Sequence, residues 1–193
     1  MKFGVKYLAI TVVAILLIIP IFFGIYIDFL FVSEFSLGII IFLLIGFVFL
    51  LGFGKMMEIL MYSEKSKELM KQHDVVKALL NGNDISVLLV FFPLTMIMEE
   101  FIFRYYLIGI LLFELKLGLF LAILISSLIF SMYHLHIWFK FKNLKILISY
   151  LISSFLIAIY NACLLITLGM FACIIAHSIL VFILYYNLYK KLS

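Results

Sequence analysis

The stretch PLTMIMEEFIFRYYL, Pro93 to Leu107, places three charged side chains in a run otherwise apolar enough for lipid: Glu99, Glu100 and Arg104. An ionisable residue at the centre of a membrane helix costs about 2.5 to 3.5 kcal/mol on insertion scales, so three together need partners. Glu100 and Arg104 can pair four residues apart on one helix face, whereas Glu99 points about 100° away from Glu100. We therefore expect Arg104 to hold one carboxylate and the other to face a different helix.

Pro93 predicts an irregularity in the same helix. Its ring removes the amide hydrogen that would bond to the carbonyl of Leu89. We expect the helix to bend or open there, close to the carboxylates.

The composition around this stretch excludes a soluble globule. Of 193 residues, 68% are hydrophobic and 12% are charged, and the mean hydropathy is +1.35. Too few polar residues remain to cover a soluble surface, so the sequence predicts an integral membrane protein. The net charge of +4 does not indicate nucleic-acid binding, because the lysines lie between the apolar runs.

The lengths of the apolar runs predict the fold class. Runs of about twenty residues are typical of membrane helices and not of barrel strands. We expect an all-α, polytopic bundle of about six membrane-spanning helices, near Tyr7 to Ile27, Phe35 to Gly54, Ile85 to Phe113, Leu117 to Phe139, Leu144 to Cys163 and Gly169 to Tyr189. Only ITLG, residues 166–169, indicates the turn between the last two.

The distribution of lysines predicts the topology. Positive charge is in excess in cytoplasmic loops. With six spans and both termini in the cytoplasm, every lysine except Lys116 falls on the cytoplasmic side.

Two units follow from this arrangement. Residues 1–84 are predicted to hold two N-terminal spans and a cytoplasmic amphipathic segment, Lys55 to Asp84, whose apolar residues recur at roughly helical spacing. A plain connecting loop is the alternative for that segment. Residues 85–193 are predicted to form a four-helix core.

Two histidines lie at depths comparable to that of the carboxylates, in other spans. They are His134, in IFSMYHLHIW, and His177, in FACIIAHSIL. His136 is two residues from His134 and is predicted to face nearly the opposite side, at the interface. Two carboxylates, an arginine and two imidazoles on three helices can converge on one water-filled pocket.

Such a pocket suits hydrolysis of an amide in or beside the membrane. A buried carboxylate can take a proton from water, one imidazole can orient that water or protonate the leaving amine, and another can stabilise the oxyanion. Alternatively, Glu99, His134 and His177 would form a zinc site with an open position for water. A third hypothesis is a haem held between His134 and His177. The residues alone do not choose among these.

Three motifs resemble those of the CPBP intramembrane proteases. EEFIFR (Glu99 to Arg104) fits EExxxR, FSMYH (Phe130 to His134) fits FxxxH, and LGMFACIIAHSIL around His177 resembles the last conserved helix of that family. The family comprises CAAX prenyl endopeptidases and bacterial bacteriocin-processing or self-immunity proteins, and is also called the abortive-infection family. The resemblance covers roughly residues 87 to 187.

The resemblance implies a role for each motif residue. Glu99 would activate water together with His134, and Glu100 and Arg104 would shape and polarise the site. His177 would help to hold the oxyanion.

The sequence departs from the family pattern at Val181. The family usually has an Asn or Asp there, one turn after the histidine, and valine donates no hydrogen bond. Losing one such donor typically costs about 100- to 1000-fold in rate, unless Ser178, Asn161 or a backbone amide substitutes.

The predicted function is therefore an intramembrane endopeptidase in a bacterial or archaeal cytoplasmic membrane. Its mechanism would be glutamate-dependent without a metal, or that of a metalloprotease with a divalent metal such as zinc as cofactor. Its substrate would be a CAAX-type prenylated tail, a leader peptide or a bacteriocin-like precursor. The alternative, which Val181 favours, is a non-catalytic membrane protein that confers bacteriocin self-immunity or scaffolds a partner.

Overall fold

The computed structural model describes residues 4–31, 36–82 and 84–192, and its regular elements in these ranges are helices. This confirms the all-α prediction. The α-helices are α1 (Val5–Ile18), α2 (Leu37–Met61), α3 (Glu64–Met70), α4 (Asp74–Asn81), α5 (Phe92–Glu100), α6 (Leu107–Gly109), α7 (Leu119–Tyr133), α8 (His136–Phe141), α9 (Leu144–Leu168) and α10 (Met170–Leu192). The predicted start of the second span, Phe35, lies outside the described residues.

Within the described ranges, four helices are long and apolar enough to cross a membrane: α2, α7 together with α8, α9 and α10. The first predicted span falls on a shorter apolar helix, Tyr7–Phe23. The third falls on the segment that carries Glu99, Glu100 and Arg104. The count of six spans and the cytoplasmic position of both termini stay predictions.

That third segment is one continuous helix over 87–114, here called the charged helix. It alternates between wide π-helical turns and α-helix: Val87–Phe91 (π), α5, Phe101–Tyr106 (π), α6 and Ile110–Glu114 (π). The irregularity expected from Pro93 takes the form of the first π turn, which immediately precedes α5. The Thr95 hydroxyl donates to the Phe91 carbonyl at 2.8 Å beside it. Such π turns often accompany functional sites.

The N-terminal segment packs against the charged helix. The Tyr105 hydroxyl donates to the Ile25 carbonyl at 2.8 Å, and the Tyr106 hydroxyl donates to the Leu17 carbonyl. Nearer the start of both helices, the rings of Tyr7 and Phe91 stack with centroids 4.2 Å apart. The first helix therefore flanks the segment that carries the charges.

Helix α9 lies at the centre of the bundle and packs against α2, α7 and α10. Its buried face includes the small or polar residues Ser149, Ser154, Ala158, Asn161 and Ala162. Small residues let helices approach closely and polar ones bond across them, which is how helices associate where lipid removes the hydrophobic driving force. A polar side of α9 is thus available to the site.

The segment between α2 and the charged helix forms the helices α3 and α4 and not a plain loop. Val76 of α4 is fully buried in a cluster with Met70, Ile137 and Leu188. Lys140 donates to Asp74 at 3.0 Å, and further hydrogen bonding ties α3 to the start of α9. The two helices are docked on the bundle; their cytoplasmic position and the division at residue 84 remain predictions.

The break between the last two helices falls at Gly169, at the end of the predicted ITLG turn. Helix α9 continues to Leu168, five residues beyond the predicted end at Cys163. Gly169 has φ 81° and ψ 179°, a region of backbone space that glycine alone occupies readily. A Cβ atom there would lie 2.9 Å from backbone atoms of Leu30 and Phe31.

We expect Gly169→Ala to destabilise the protein by about 1 to 3 kcal/mol, because alanine is strained at this φ and would push against rigid backbone. The measurement is thermal unfolding of the purified protein in detergent. Gly52→Ala is the matched control, since Gly52 lies inside α2 and an added methyl group would meet none of the described residues within 4 Å. Equal melting temperatures for the two variants would contradict the prediction.

Candidate active site

A cavity of about 730 Å³ lies within the bundle. Its walls come from α1 to α4, the charged helix and α7 to α10, and Glu99, His134 and His177 all line it. The structure thus brings together three side chains that lie far apart in the sequence. Glu100 and Arg104 are not among the described lining residues and lie behind the wall.

Glu100 is fully buried and has three polar partners. The Arg104 Nε atom lies 3.2 Å from Oε2, the Asn161 side-chain amide donates to Oε1 at 2.8 Å, and the His177 Nδ1 atom lies 2.6 Å from Oε1. The contact with Arg104 is an ion pair, and neither it nor the close contact with His177 has the geometry of a linear hydrogen bond. Glu100 is therefore the carboxylate held by Arg104, as the four-residue spacing suggested.

Phe130, the first residue of FSMYH, contacts the other two motifs. The Arg104 guanidinium carbon lies 4.0 Å from its ring centroid. The His134 and His177 rings approach it edge-on, at centroid distances of 4.9 and 5.8 Å. An aromatic face stabilises a desolvated guanidinium, so Phe130 adds a second partner for the Arg104 charge while its ring also contacts both imidazoles.

Glu99 has a different environment from its neighbour. Its side chain is 5% exposed and lines the cavity. Among the described side chains, its Oε2 atom has no hydrogen-bond partner. A buried carboxylate oxygen normally has a donor, so the cavity beside Glu99 is the place where water or a substrate group is expected to bind.

The contacts of the two site histidines fix where their ring protons lie. The His134 Nδ1 atom lies 3.0 Å from the Phe130 carbonyl, which can only accept, so Nδ1 carries the hydrogen. The 2.6 Å contact between His177 Nδ1 and Glu100 Oε1 is too short for two lone pairs, so one of the two atoms carries a proton. With Nδ1 engaged in both rings, Nε2 is the nitrogen left for water or substrate.

The expectation that His136 faces away from His134 is wrong. Their ring centroids are 6.0 Å apart, and both rings line the cavity. The reason is that α7 ends at Tyr133 and the chain turns through 134–135 before α8 begins, so helical geometry does not relate the two residues. His136 is exposed, as an interfacial residue would be.

Sequence reasoning missed a chain of polar rings along the cavity wall. The Tyr185 hydroxyl is hydrogen-bonded to His73 Nε2 at 3.0 Å and to the Tyr150 hydroxyl at 2.9 Å. The Tyr150 ring lies 6.1 Å from that of His134. No motif marks these residues, because they come together only when α4, α9 and α10 pack.

A family model described as Type II CAAX prenyl endopeptidase Rce1-like matches residues 81–183. The chain belongs to this family. The matched range is more than half of the chain and includes the five predicted site residues, Glu99, Glu100, Arg104, His134 and His177. No curated protein and no solved structure gave a significant match. Membership of the Rce1-like family implies intramembrane protease activity of the CAAX type, and with four apolar helices it supports an integral membrane protein.

This Rce1-like chain has an apolar side chain, Val181, at a position on the cavity wall where the family usually has a hydrogen-bond donor. Val181 lines the cavity and packs against Leu50, Ile157 and Leu180. Of the suggested substitutes, neither Asn161 nor Ser178 is among the described lining residues. Asn161 is directed at Glu100 instead, so of the three suggestions a backbone amide remains.

The zinc hypothesis requires Glu99, His134 and His177 to be arranged as metal ligands. Among the described residues, no group of three or more His, Cys, Asp or Glu side chains is arranged to hold a metal ion. The contact of His177 Nδ1 with Glu100 does not count against a metal, because a ligating histidine often has a carboxylate on its other nitrogen. The mismatch is in the arrangement of the side chains as described, and the mechanism below uses no metal.

We expect Arg104→Leu to destabilise the protein by about 3 to 5 kcal/mol, because it leaves the Glu100 carboxylate buried without its cation. Lys191→Ala is the control: its ion pair with Glu58 at 2.7 Å is partly exposed, and such pairs contribute under about 1 kcal/mol. Unfolding midpoints in detergent make the comparison. Similar losses of stability in both variants would show that the buried ion pair contributes no more than the exposed one, which would contradict the prediction.

Proposed function

We propose that the chain is an intramembrane endopeptidase in which Glu99 and His134 activate a water molecule to hydrolyse a peptide bond. The observation that carries this proposal is the division of the two adjacent glutamates. Glu99 lies on the cavity wall with His134 and His177, whereas Glu100 is bound behind it by Arg104, Asn161 and His177. One carboxylate is thus available for proton transfer and the other serves the structure of the site.

The proposed reaction uses only groups of this chain and water. Glu99 removes a proton from water as the water oxygen bonds to the scissile carbonyl carbon, and His134 Nε2 accepts a hydrogen bond from the same water and orients it. A tetrahedral intermediate with an oxyanion results. The proton on Glu99 then passes to the amide nitrogen as the carbon–nitrogen bond breaks, which releases a carboxylic acid and an amine.

His177 would stabilise the oxyanion. The His177 Nδ1 atom lies 2.6 Å from Glu100 Oε1, and if its neutral ring carries the hydrogen on Nδ1, Nε2 is bare and cannot donate. The ring can donate from Nε2 as well only as an imidazolium, with a hydrogen on each nitrogen. In this mechanism Glu100 positions His177, Arg104 positions Glu100, and neither touches the substrate.

The family description favours a CAAX-type tail as the substrate. A leader peptide or a bacteriocin-like precursor is the other candidate, in a bacterial or archaeal cytoplasmic membrane. The cavity volume of about 730 Å³ lies within the range of about 300 to 1,000 Å³ that is usual for ligand pockets. The cavity is therefore large enough for a short peptide segment.

A non-catalytic role in immunity or scaffolding is the second candidate. The observation that favours it is Val181, which lines the cavity at the position where the family usually supplies a hydrogen-bond donor. Such a protein would keep the cavity for binding alone.

Glu99→Gln, Glu99→Ala and His134→Ala are each expected to lower cleavage by at least about 100-fold while the protein stays folded, because each removes a group that moves or orients the proton of water. Cleavage of tail, leader and precursor peptides would be followed by mass spectrometry. Glu68→Gln, on the exposed face of α3, is the matched control and should cleave normally.

Retention of cleavage by the Glu99 variants would refute the proposed mechanism. An immunity phenotype that survives all three changes would favour the binding role. Thorough metal removal in the same assay tests zinc, since a lasting loss that added zinc restores would require a metal-dependent mechanism.

Val181→Asn is expected to raise turnover, because it adds a donor where the oxyanion is proposed to form, and one donor is worth up to about 100- to 1000-fold. Val181→Leu adds no donor and serves as the control. Single-turnover cleavage rates would be compared. An unchanged rate in Val181→Asn would mean that another group already fills this role.

A further inference from the structure

Asn161 lies near the middle of α9 and is completely buried, although an amide side chain in a membrane helix carries a desolvation cost. It belongs to none of the motifs that the sequence revealed. It is also not among the described residues that line the cavity, so its side chain serves another group of the protein.

Asn161 contacts both of the helices that meet α9 at the site. Its side-chain amide donates to Glu100 Oε1 at 2.8 Å, on the charged helix. Its main-chain carbonyl accepts from the Cys173 thiol at 3.1 Å, on α10. Cys173 lies four residues before His177 and therefore on the same face of α10. Asn161 thus fixes α9 against Glu100 on one side and against the turn below His177 on the other.

The contact with Glu100 decides where a proton can lie. The 2.6 Å contact between Glu100 Oε1 and His177 Nδ1 holds one proton, on the carboxyl oxygen or on the ring. The amide N–H of Asn161 already donates to Oε1, and the positive charge of Arg104 lies 3.2 Å from Oε2. A donor on one oxygen and a positive charge beside the other favour the carboxylate, so we assign the proton of the 2.6 Å contact to His177.

We propose that Asn161 is a positioning residue of this site, which through Glu100 keeps a proton on Nδ1 of His177 and directs Nε2 to the cavity. The kinetic consequence rests on the proposed function, because it supposes that His177 acts in catalysis. The position of the ring proton does not depend on the proposed function, and it can be measured without any substrate.

The first measurement is the nitrogen-15 NMR spectrum of histidine-labelled protein in detergent, with the His177 signals identified by their loss in His177→Gln. The wild type should show a hydrogen on Nδ1 of His177. In Asn161→Leu, which removes the donor at similar volume, that signal should weaken in favour of Nε2–H. Thr167→Val is the matched control, because it removes a hydroxyl from the same helix outside the cavity lining, and it should leave the signal unchanged.

Asn161→Asp is the second variant, of the same size. It places a second carboxylate against Glu100, so that one of the two must take a proton, and the Nδ1–H signal of His177 should weaken here as well. If Asn161→Leu does not fold, the same NMR measurement is made on Asn161→Asp.

The second measurement is the kinetics of cleavage. Asn161→Leu should lower kcat by about 10- to 100-fold with KM within about twofold, because a neutral ring with its hydrogen on Nε2 donates more weakly to the oxyanion than the charged ring of the proposed mechanism. In a Glu100→Gln background the same change should cost less than about twofold, since residues that act through one another are not additive.

Each result bears on one claim. A wild-type protein without Nδ1–H on His177, an unchanged His177 signal in a folded Asn161 variant, or additive losses with Glu100→Gln would overturn the role of Asn161. A wild-type protein that cleaves none of the peptides would overturn the protease proposal alone, because the NMR result would still decide where the ring proton lies.

Discussion

The structure depends on one buried carboxylate. Glu100 is taken out of both water and lipid, and its charge is compensated only where the charged helix, α9 and α10 meet, by Arg104, Asn161 and His177. Arg104 is on the same helix and can pair early, but the other two partners require the assembled bundle. Removing one member leaves a desolvated charge behind, which is far more destabilising than the loss of a surface pair. The packing of the three helices and the arrangement of the site therefore depend on each other.

That constraint also places Glu99. Once Glu100 is fixed towards α9 and α10, the next residue back is rotated by about 100° around the helix and faces the cavity. Two adjacent residues of the same type thus have different environments, one close to Arg104, Asn161 and His177 and the other on the cavity wall. Phe130 completes the division, since its ring lies against Arg104 on the buried side and against both imidazoles near the cavity.

The sequence predicts those features that depend on one helix or one local rule. The Glu100–Arg104 pair follows from the four-residue spacing, the helix break at Gly169 from the ITLG turn, and an irregularity near Pro93 from its missing amide hydrogen, although the π-helical form of that irregularity does not. It does not predict contacts set by how helices rotate against one another, such as Asn161 with Glu100 or His73 with Tyr185. The prediction for His136 is wrong for a related reason: helical geometry does not hold across a turn that the apolar pattern conceals.

The contacts of Glu100 with Arg104, Asn161 and His177 also affect what Val181 implies for the proposed mechanism. In the proposed mechanism, a valine in place of the usual donor leaves the oxyanion more dependent on His177 and on the main chain. With its Nδ1 atom facing Glu100, His177 donates from Nε2 only when both ring nitrogens carry hydrogen, and the carboxylate 2.6 Å away is itself bound by Arg104 and Asn161. In that mechanism the buried groups position the remaining donor where the second is missing. For this reason the departure at Val181 and the amide at Asn161 are best understood together, as two parts of one electrostatic arrangement.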